Sequence, residues 1–321
     1  MERAPKSLVH GLLLINKPSG PTSHDVVDAV RKVLKQRRVG HLGTLDPIAE
    51  GLLPLALGWA TRLAPILTHY DKVYEATFRL GVETDTHDRT GQVLAEYPVP
   101  SDLDEATIVE KVQAFVGEIQ QVPPLISAKK YKGRPLYWWV RHGKPVPEPP
   151  PKPVRFHEIR VLRYDPPFVC LRIHCSAGAY IRALARDLGR ALGTGAVVFE
   201  IRRTRWGPHD VAETIPLKDF LAGPTLAPPH FLSLEHVEPH WPRLTAHPRV
   251  VERLLHGQRV PLPPLLRFIE PPEGLLKFPH LRVFTADGRL VAIARVEYPE
   301  WIHPAINFPQ GTAGRSDGMT E

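Results

Sequence analysis

Three short amphipathic helical patterns, set far apart, constrain this chain more than any other feature. Ser23 is a plausible N-cap for the first, in which Val26, Val27, Val30, Val33 and Leu34 recur at helical spacing. Its other face carries Arg31, Lys32 and Lys35. The second runs from about Glu105 to Val116, with Ile108, Val109, Val112, Phe115 and Val116 on one stripe. The third spans about Tyr180 to Leu192, and Ile181, Leu184, Ala185, Leu188 and Leu192 form its apolar stripe. Arg182, Arg186 and Arg190 sit four apart on another face, and Gly193 or Gly195 stops the helix. The segments between read as strands. Gly11 to Ile15 is a short apolar one, and Tyr74 to Gly81 alternates as a half-buried strand does. Strand pattern returns at Arg155 to Arg163 and at Val169 to Cys175.

Two stretches break this texture. Residues Gln120 to Pro153 are rich in proline, lysine and arginine, with Tyr131, Tyr137, Trp138 and Trp139 interleaved, and read as a long projecting loop. Between about Phe231 and Pro242 the pattern changes again. Beyond it, Leu281 to Thr285 and Leu290 to Val296 are short strands joined by Asp287-Gly288, a hairpin signal. With 321 residues, two domains are expected. The boundaries fall at 1–235 and 236–306, with the projecting loop at about 126–153. The polar, glycine-bearing tail, 307–321, is expected to be disordered.

Composition narrows the function. The formal charge is +7 and the pI near 9.4, which favours a polyanionic partner. The apolar run Leu12 to Ile15 is far too short for a signal peptide or a membrane span, so a cytoplasmic protein is expected. Cys170 and Cys175 lie five apart, on opposite faces of a strand, so no disulfide joins them. The 16 histidines show no metal-ligand spacing, and no metal is expected. Lys17-Pro18-Ser19-Gly20 lacks the spacing of a phosphate loop, and no nucleotide cofactor is expected. Thr84-Asp85-Thr86-His87-Asp88 does not match a calcium loop and reads as a turn.

Asp46 is the first candidate for chemistry. An Asp before Pro is commonly a helix N-cap. The run Arg37 to Pro47 instead displays this carboxylate beside basic residues and glycines that let a backbone approach a ligand closely. Arg182 lies in the first turn of its helix, where the dipole disfavours a cation. It is either a plain surface arginine or the partner of a buried carboxylate that it keeps ionised. Tyr74 and Tyr180 are either core residues or surfaces on which an extruded base stacks. Arg202, Arg203 and Arg205 add a basic cluster beside Trp206.

These pieces occur in an order that resembles the TruB family of tRNA pseudouridine-55 synthases. They are Gly11-x5-Lys17-Pro18-x-Gly20-x-Thr22-Ser23-x-Asp25-Val26-Val27, Val39-Gly40-His41-x-Gly43-Thr44-Leu45-Asp46-Pro47-x-Ala49-x-Gly51 and Gly58-x-Ala60-Thr61-Arg62. Lys72-x-Tyr74, Gly81-x-x-Thr84-Asp85-Thr86-x-Asp88-x-x-Gly91 and Pro123-Pro124-x-x-Ser127-Ala128-x-Lys130-x-x-Gly133 follow. Gly178-x-Tyr180-Ile181-Arg182 and Ile201-Arg202-Arg203-Thr204 complete the set, which covers about the first two-thirds of the chain. Gly178 stands in a Ser-Ala-Gly-Ala run where the family more often has a Lys-Gly-Thr-like one, and Ile201 stands where Leu is usual.

The resemblance implies an α+β chain. Its fold would be that of a pseudouridine synthase, with a mixed, mainly antiparallel sheet flanked by helices, plus a small β-rich PUA-like C-terminal domain. It implies that Asp46 is the nucleophile, that Tyr74 stacks on the base and assists proton removal, and that Arg182 pairs with Asp46. Tyr180 and Ile201 would line the pocket, and His41 would help bind RNA and extrude the base. Lys17, Lys130 and Arg202 would contact substrate, and the loop 126–153 would grip RNA. The substrate would be the T-arm stem-loop of tRNA, with no cofactor, no obligatory protein partner and a monomeric chain. Isomerising uridine needs no redox or energy source, which suits a sequence without cofactor motifs. Asp46 is then expected to be buried and ionised in a water-poor pocket. A non-catalytic RNA-binding protein would need the basic surfaces but not Asp46, Tyr74 and Arg182 together.

Overall fold

The computed structural model describes residues 8–126, 130–131, 133–136, 139, 142, 144 and 149–308. Its largest element is an eleven-stranded sheet. The strands that matter for the site are β1 (Gly11–Lys17), β2 (Val39–His41), β3 (Glu50–Leu57), β4 (Lys72–Leu80), β5 (Gly117–Gln121), β6 (Lys152–Asp165), β7 (Phe168–Cys175) and β8 (Ala196–Trp206). They run in the order β1-β3-β8-β4-β7-β6-β5, with β2 branching from β3. Only β8 against β3 and the edge pair Ile215–Pro216 against β1 are parallel, so the sheet is mixed and mainly antiparallel. Helices α1 (Ser23–Leu34), α2 (Glu105–Gln113) and α3 (Ile181–Leu192) lay their apolar stripes on one face.

The strand patterns follow from what covers each face. β1 is apolar at Leu12, Leu13, Leu14 and Ile15 in succession, all fully buried. Leu13 and Ile15 point to the helices. Leu12 and Leu14 point to the other face, where Leu234, Trp241, Phe284 and Ile293 of the C-terminal segment pack. A strand covered on both sides reads as a continuous apolar run. β4 alternates instead: Tyr74, Ala76, Phe78 and Leu80 are buried while Glu75 and Arg79 are exposed. Its second face is open, so period two survives.

The chain leaves the large sheet after Phe231–Ser233 and enters a second, six-stranded sheet at Arg243–Thr245. That sheet contains β9 (His280–Phe284), β10 (Leu290–Glu297) and β11 (Trp301–Asn307) and packs against helix α4 (Pro248–Leu255). The Asp287-Gly288 turn joins β9 to β10 as a hairpin, with Gly288 at φ +84° and its N–H donating to Thr285 O at 3.0 Å.

Three local expectations change. Thr22, not Ser23, caps α1, through a capping box with Asp25. Ser23 is buried inside the helix with its hydroxyl turned elsewhere. Asn307 ends β11 rather than opening a tail: its Nδ2 donates to Leu254 O and Leu255 O at 3.2 Å each. Residues 309–321 lie outside the described residues. In the projecting loop, Lys130–Tyr131 pairs with Arg134–Pro135. Trp139 packs edge-on against Tyr131, at 5.6 Å between rings, and donates Nε1–H to the Tyr131 carbonyl. Tyr137 and Trp138 lie outside the described residues.

Candidate active site

Asp46 sits on the loop between β2 and β3, and no helix follows it. Its carbonyl accepts from Ala49 N–H at 3.0 Å, so Asp46-Pro47-Ile48-Ala49 is a tight turn. Asp first and Pro second is the chemistry such a turn favours. N-capping therefore does not explain this residue. Two anchors fix the loop from below. Ser23 Oγ accepts from Leu45 N–H at 2.8 Å and donates to Leu45 O at 3.0 Å, both inside the protein. Lys17 is fully buried and its ammonium donates to Pro18 O, Pro47 O and Ala49 O at 2.8, 3.2 and 2.7 Å. Burial lowers its pKa to about 8. The expectation that Lys17 contacts substrate is corrected here. Its donors are consumed beneath the turn, and it is absent from the cavity wall.

Above the loop, Arg182 meets Asp46 through a two-point bridge: Nε to Oδ2 at 2.8 Å and Nη2 to Oδ1 at 3.0 Å. The guanidinium also donates to Thr86 O at 2.9 Å and to Ile126 O at 3.0 Å, and Asp88 Oδ2 lies 4.0 Å away. Arg182 is 5 % exposed, so its charge is supported almost wholly by these acceptors. The helix it opens has no side-chain cap. Gln121, itself buried, supplies the substitute: its amide accepts from Tyr180 N–H at 2.8 Å and donates to Tyr180 O at 3.1 Å.

Asp46 opens onto a cavity of about 420 Å³ whose wall includes Tyr74, Tyr180, Ile181, Arg182, Ile201 and Arg203. Its side chain keeps 38 % exposure, so the expected full burial does not hold: one edge is clamped and the other faces the cavity. Tyr74 is buried on β4, and burial raises its phenol while the Arg203 guanidinium beside it works in the opposite direction. Besides Asp46, the charged wall residues are Lys72, Lys152, Arg182 and Arg203, one carboxylate among four cations. Lys72 is also buried, with its pKa lowered to about 8 by desolvation, and it donates to Thr68 O at 2.9 Å.

Arg203 was legible yet missed. Side chains alternate along β8, so Ile201 and Arg203 face this cavity while Arg202 faces a second one beside Glu50, Glu75 and Glu200. Arg202 therefore lies outside the wall of the Asp46 cavity, by the period of the strand. Glu200, without a role in sequence, lies on that second face. Arg203 is 1 % exposed and donates to Leu52 O at 2.8 Å and Gly43 O at 3.1 Å. This approach needs glycine at Gly51, φ +96°, because a Cβ there would lie 2.3 Å from Arg203 O. His41 ends β2 outside the cavity wall; burial lowers its pKa and its Nδ1 has no protein partner. Lys130 lies in the loop hairpin, and its side chain is outside the described residues.

The TruB family pseudouridylate synthase N-terminal domain matches residues 31–181, and the tRNA pseudouridylate synthase B C-terminal domain matches 182–227. A tRNA pseudouridine synthase B of Thermotoga maritima is 41% identical over 288 residues, 90% of each chain. One from Gloeobacter violaceus is 42% identical over 79% of this chain and 87% of its own. This chain belongs to the TruB family of pseudouridylate synthases. The pseudouridine synthase fold is also seen in a Cbf5–Nop10–Gar1 complex. There the TM-score is 0.67 and identity 27%, over 93% of this chain and 84% of that one. A structure of an H/ACA RNP bound to a substrate RNA containing 2′-deoxyuridine gives 0.66 and 25%, over 94% and 86%. Both matched TruB segments end before the six-stranded sheet begins. Among the described residues, no helix is long and apolar enough to cross a membrane.

Proposed function

We propose that this TruB protein isomerises uridine 55, in the T-arm loop of tRNA, to pseudouridine, with Asp46 as the nucleophile. The observation that carries the reading is the clamped carboxylate: Asp46 is held at two points by Arg182 with one edge free toward the cavity. A carboxylate so oriented can attack while the glycosidic bond breaks, dividing one hard step into two easier ones. Clamping also supplies orientation in advance, which is where much of the rate of such a step arises. The uracil, freed and turned, must be rejoined before water intervenes. Tyr74, Ile181 and Ile201 give that cavity apolar walls.

A uridine inside a folded loop cannot reach this cavity unless it is flipped out. Lys152, the exposed cation of the wall, would hold a flanking phosphate as it enters, and affinity should fall as salt rises. Tyr74 is suited to stacking. Its ring is buried on β4 and lines the cavity together with Asp46. Lys17, Ser23 and Gln121 act by positioning Asp46 and Tyr180. His41 and the loop hairpin with Lys130 would meet RNA outside the cavity. The six-stranded sheet is read as a PUA-like RNA-binding domain, and the enzyme as a cytoplasmic monomer without an obligatory protein partner.

The test is Asp46→Asn, assayed by tritium release from uracil-labelled T-arm stem-loop and by stem-loop binding. Turnover should vanish while affinity stays close to that of the parent. Full activity in this variant would end the reading. Retained binding by a parent that releases no tritium would point to a non-catalytic RNA binder.

A further inference from the structure

On the open face of the large sheet, three side chains from three neighbouring strands converge. Asp71 immediately precedes β4, His174 lies on β7 and His157 on β6. His157 Nε2 is 3.1 Å and His174 Nε2 4.0 Å from the same oxygen, Asp71 Oδ2. The three ligand atoms all lie within 4.8 Å of one another, and the two imidazole centroids are 4.6 Å apart.

The ladder is irregular at this point. Phe156 pairs with Cys175 and Glu158 with His174, so His157 is the extra residue of a β-bulge. Phe156 and Ile159 stay in the core while His157 and Glu158 both turn outward, which leaves the His157 imidazole on the face that carries His174.

We propose that Asp71, His157 and His174 form a binding site for a divalent transition-metal ion of the zinc class, with an open coordination position toward solvent. Two imidazole nitrogens and one carboxylate oxygen are the donor set such ions take. Metal–ligand bonds of about 2.1 Å place tetrahedral ligands roughly 3.4 Å apart. The 3.1 Å pair is within about 0.3 Å of this, His174 must close on Asp71 by about 0.6 Å, and the two imidazole ligand atoms start no more than 4.8 Å apart. Nearby cations are engaged elsewhere: Arg172 pairs with Glu158 at 2.9 Å, and Arg205 donates Nε–H to Gly207 O at 3.0 Å. The sequence hid this site because its ligands lie on three separate segments with no motif spacing.

Untagged, chelator-stripped protein titrated with Co²⁺ decides the matter, followed by visible absorption and calorimetry. One equivalent should bind with the d–d bands of a low-coordinate nitrogen–oxygen site, and Zn²⁺ should displace it. His157→Gln, His174→Asn and Asp71→Asn should each weaken binding by roughly ten-fold or more, as loss of a ligand does. Unchanged melting of the variants in chelator shows that they fold; Asp71 keeps its backbone bond from Gly207 N–H whatever its side chain. If one of them melts early, the other two carry the test. Absence of specific binding by the parent would overturn the proposal, leaving a hydrogen-bonded His–Asp–His bridge. So would binding that all three variants retain, which would place the ion on other histidines.

Discussion

Ser23 offers the sharpest test of how the catalytic loop is held. Its hydroxyl satisfies both backbone groups of Leu45, from twenty-two residues away in sequence, and all of these atoms are inside the protein. Ser23→Ala leaves a buried N–H and a buried C=O without partners and opens no space in which water could replace the hydroxyl. Each orphaned group costs about 1–3 kcal/mol, so the pair should cost on the order of 2–6 kcal/mol. In a domain of this size that lowers Tm by about 2–4 °C per kcal/mol. The kinetic effect should be disproportionate. Leu45 is bonded directly to Asp46, and a shift near 1 Å in a reacting group costs on the order of 100-fold in rate. The assay pairs calorimetric melting with single-turnover tritium release at saturating stem-loop. We expect a lower Tm, a kcat reduced at temperatures where the variant is fully folded, and unchanged RNA affinity. A variant whose Tm falls as described but whose kcat stays within about two-fold of the parent would refute the positioning argument, because the loop would then keep Asp46 in place without this anchor.

The clamp itself is tested by Arg182→Lys, which keeps the charge but loses the two-point bridge and the carbonyls of Thr86 and Ile126. It should lower kcat by roughly 100-fold with RNA affinity within a few-fold, because a point charge does not replace a planar fork; an equal loss of both would make Arg182 a phosphate contact. Period two on β8 separates its arginines: Arg203→Ala should damage both folding and turnover, whereas Arg202→Ala should leave kcat/KM within about two-fold in the same tritium assay. His87 gives a pH dependence. Burial, then Arg186, Arg182 and Arg190, lower its pKa to about 4, while the unfolded chain binds the proton near 6.5. The unfolded state therefore gains protons first as pH falls, and stability drops between pH 6.5 and 4 by no more than ~3 kcal/mol. His87→Asn keeps a residue that tolerates φ +58° and should flatten that part of the melting profile; an unchanged profile would assign the loss to other groups.

What the sequence disclosed depended on periodicity, and what it concealed depended on distance. The stripe of α3 and the alternation of β4 were readable, because each reports one element's burial. Arg182 was suspect from its place in a first turn, where a cation needs a partner. The error at Lys17 has a different origin. The family resemblance implies a substrate contact for Lys17, and nothing local reveals three carbonyls waiting beneath the loop. Ser23 was misread as the cap for the same reason. Its neighbour Thr22 does that work, which frees Ser23 to reach Leu45. Gln121 had no signal at all, since its value lies wholly in fitting the Tyr180 backbone.

These anchors share a consequence for how the site forms. Asp46, Thr86, Ile126 and Arg182 come from four separate stretches, and the Arg182 guanidinium is the one group that touches the other three. Ile126 opens the loop, about 126–153, that the family resemblance assigns to gripping RNA. Its carbonyl accepts from Nη2, the same nitrogen that donates to Asp46 Oδ1. A movement of that loop on RNA would change how Nη2 is shared. The acceptor it would release or strengthen is Asp46 Oδ1. If the loop grips RNA as proposed, its position and the orientation of Asp46 are connected through one nitrogen, so exchanging the loop should alter kcat even where it leaves every residue of the cavity wall in place.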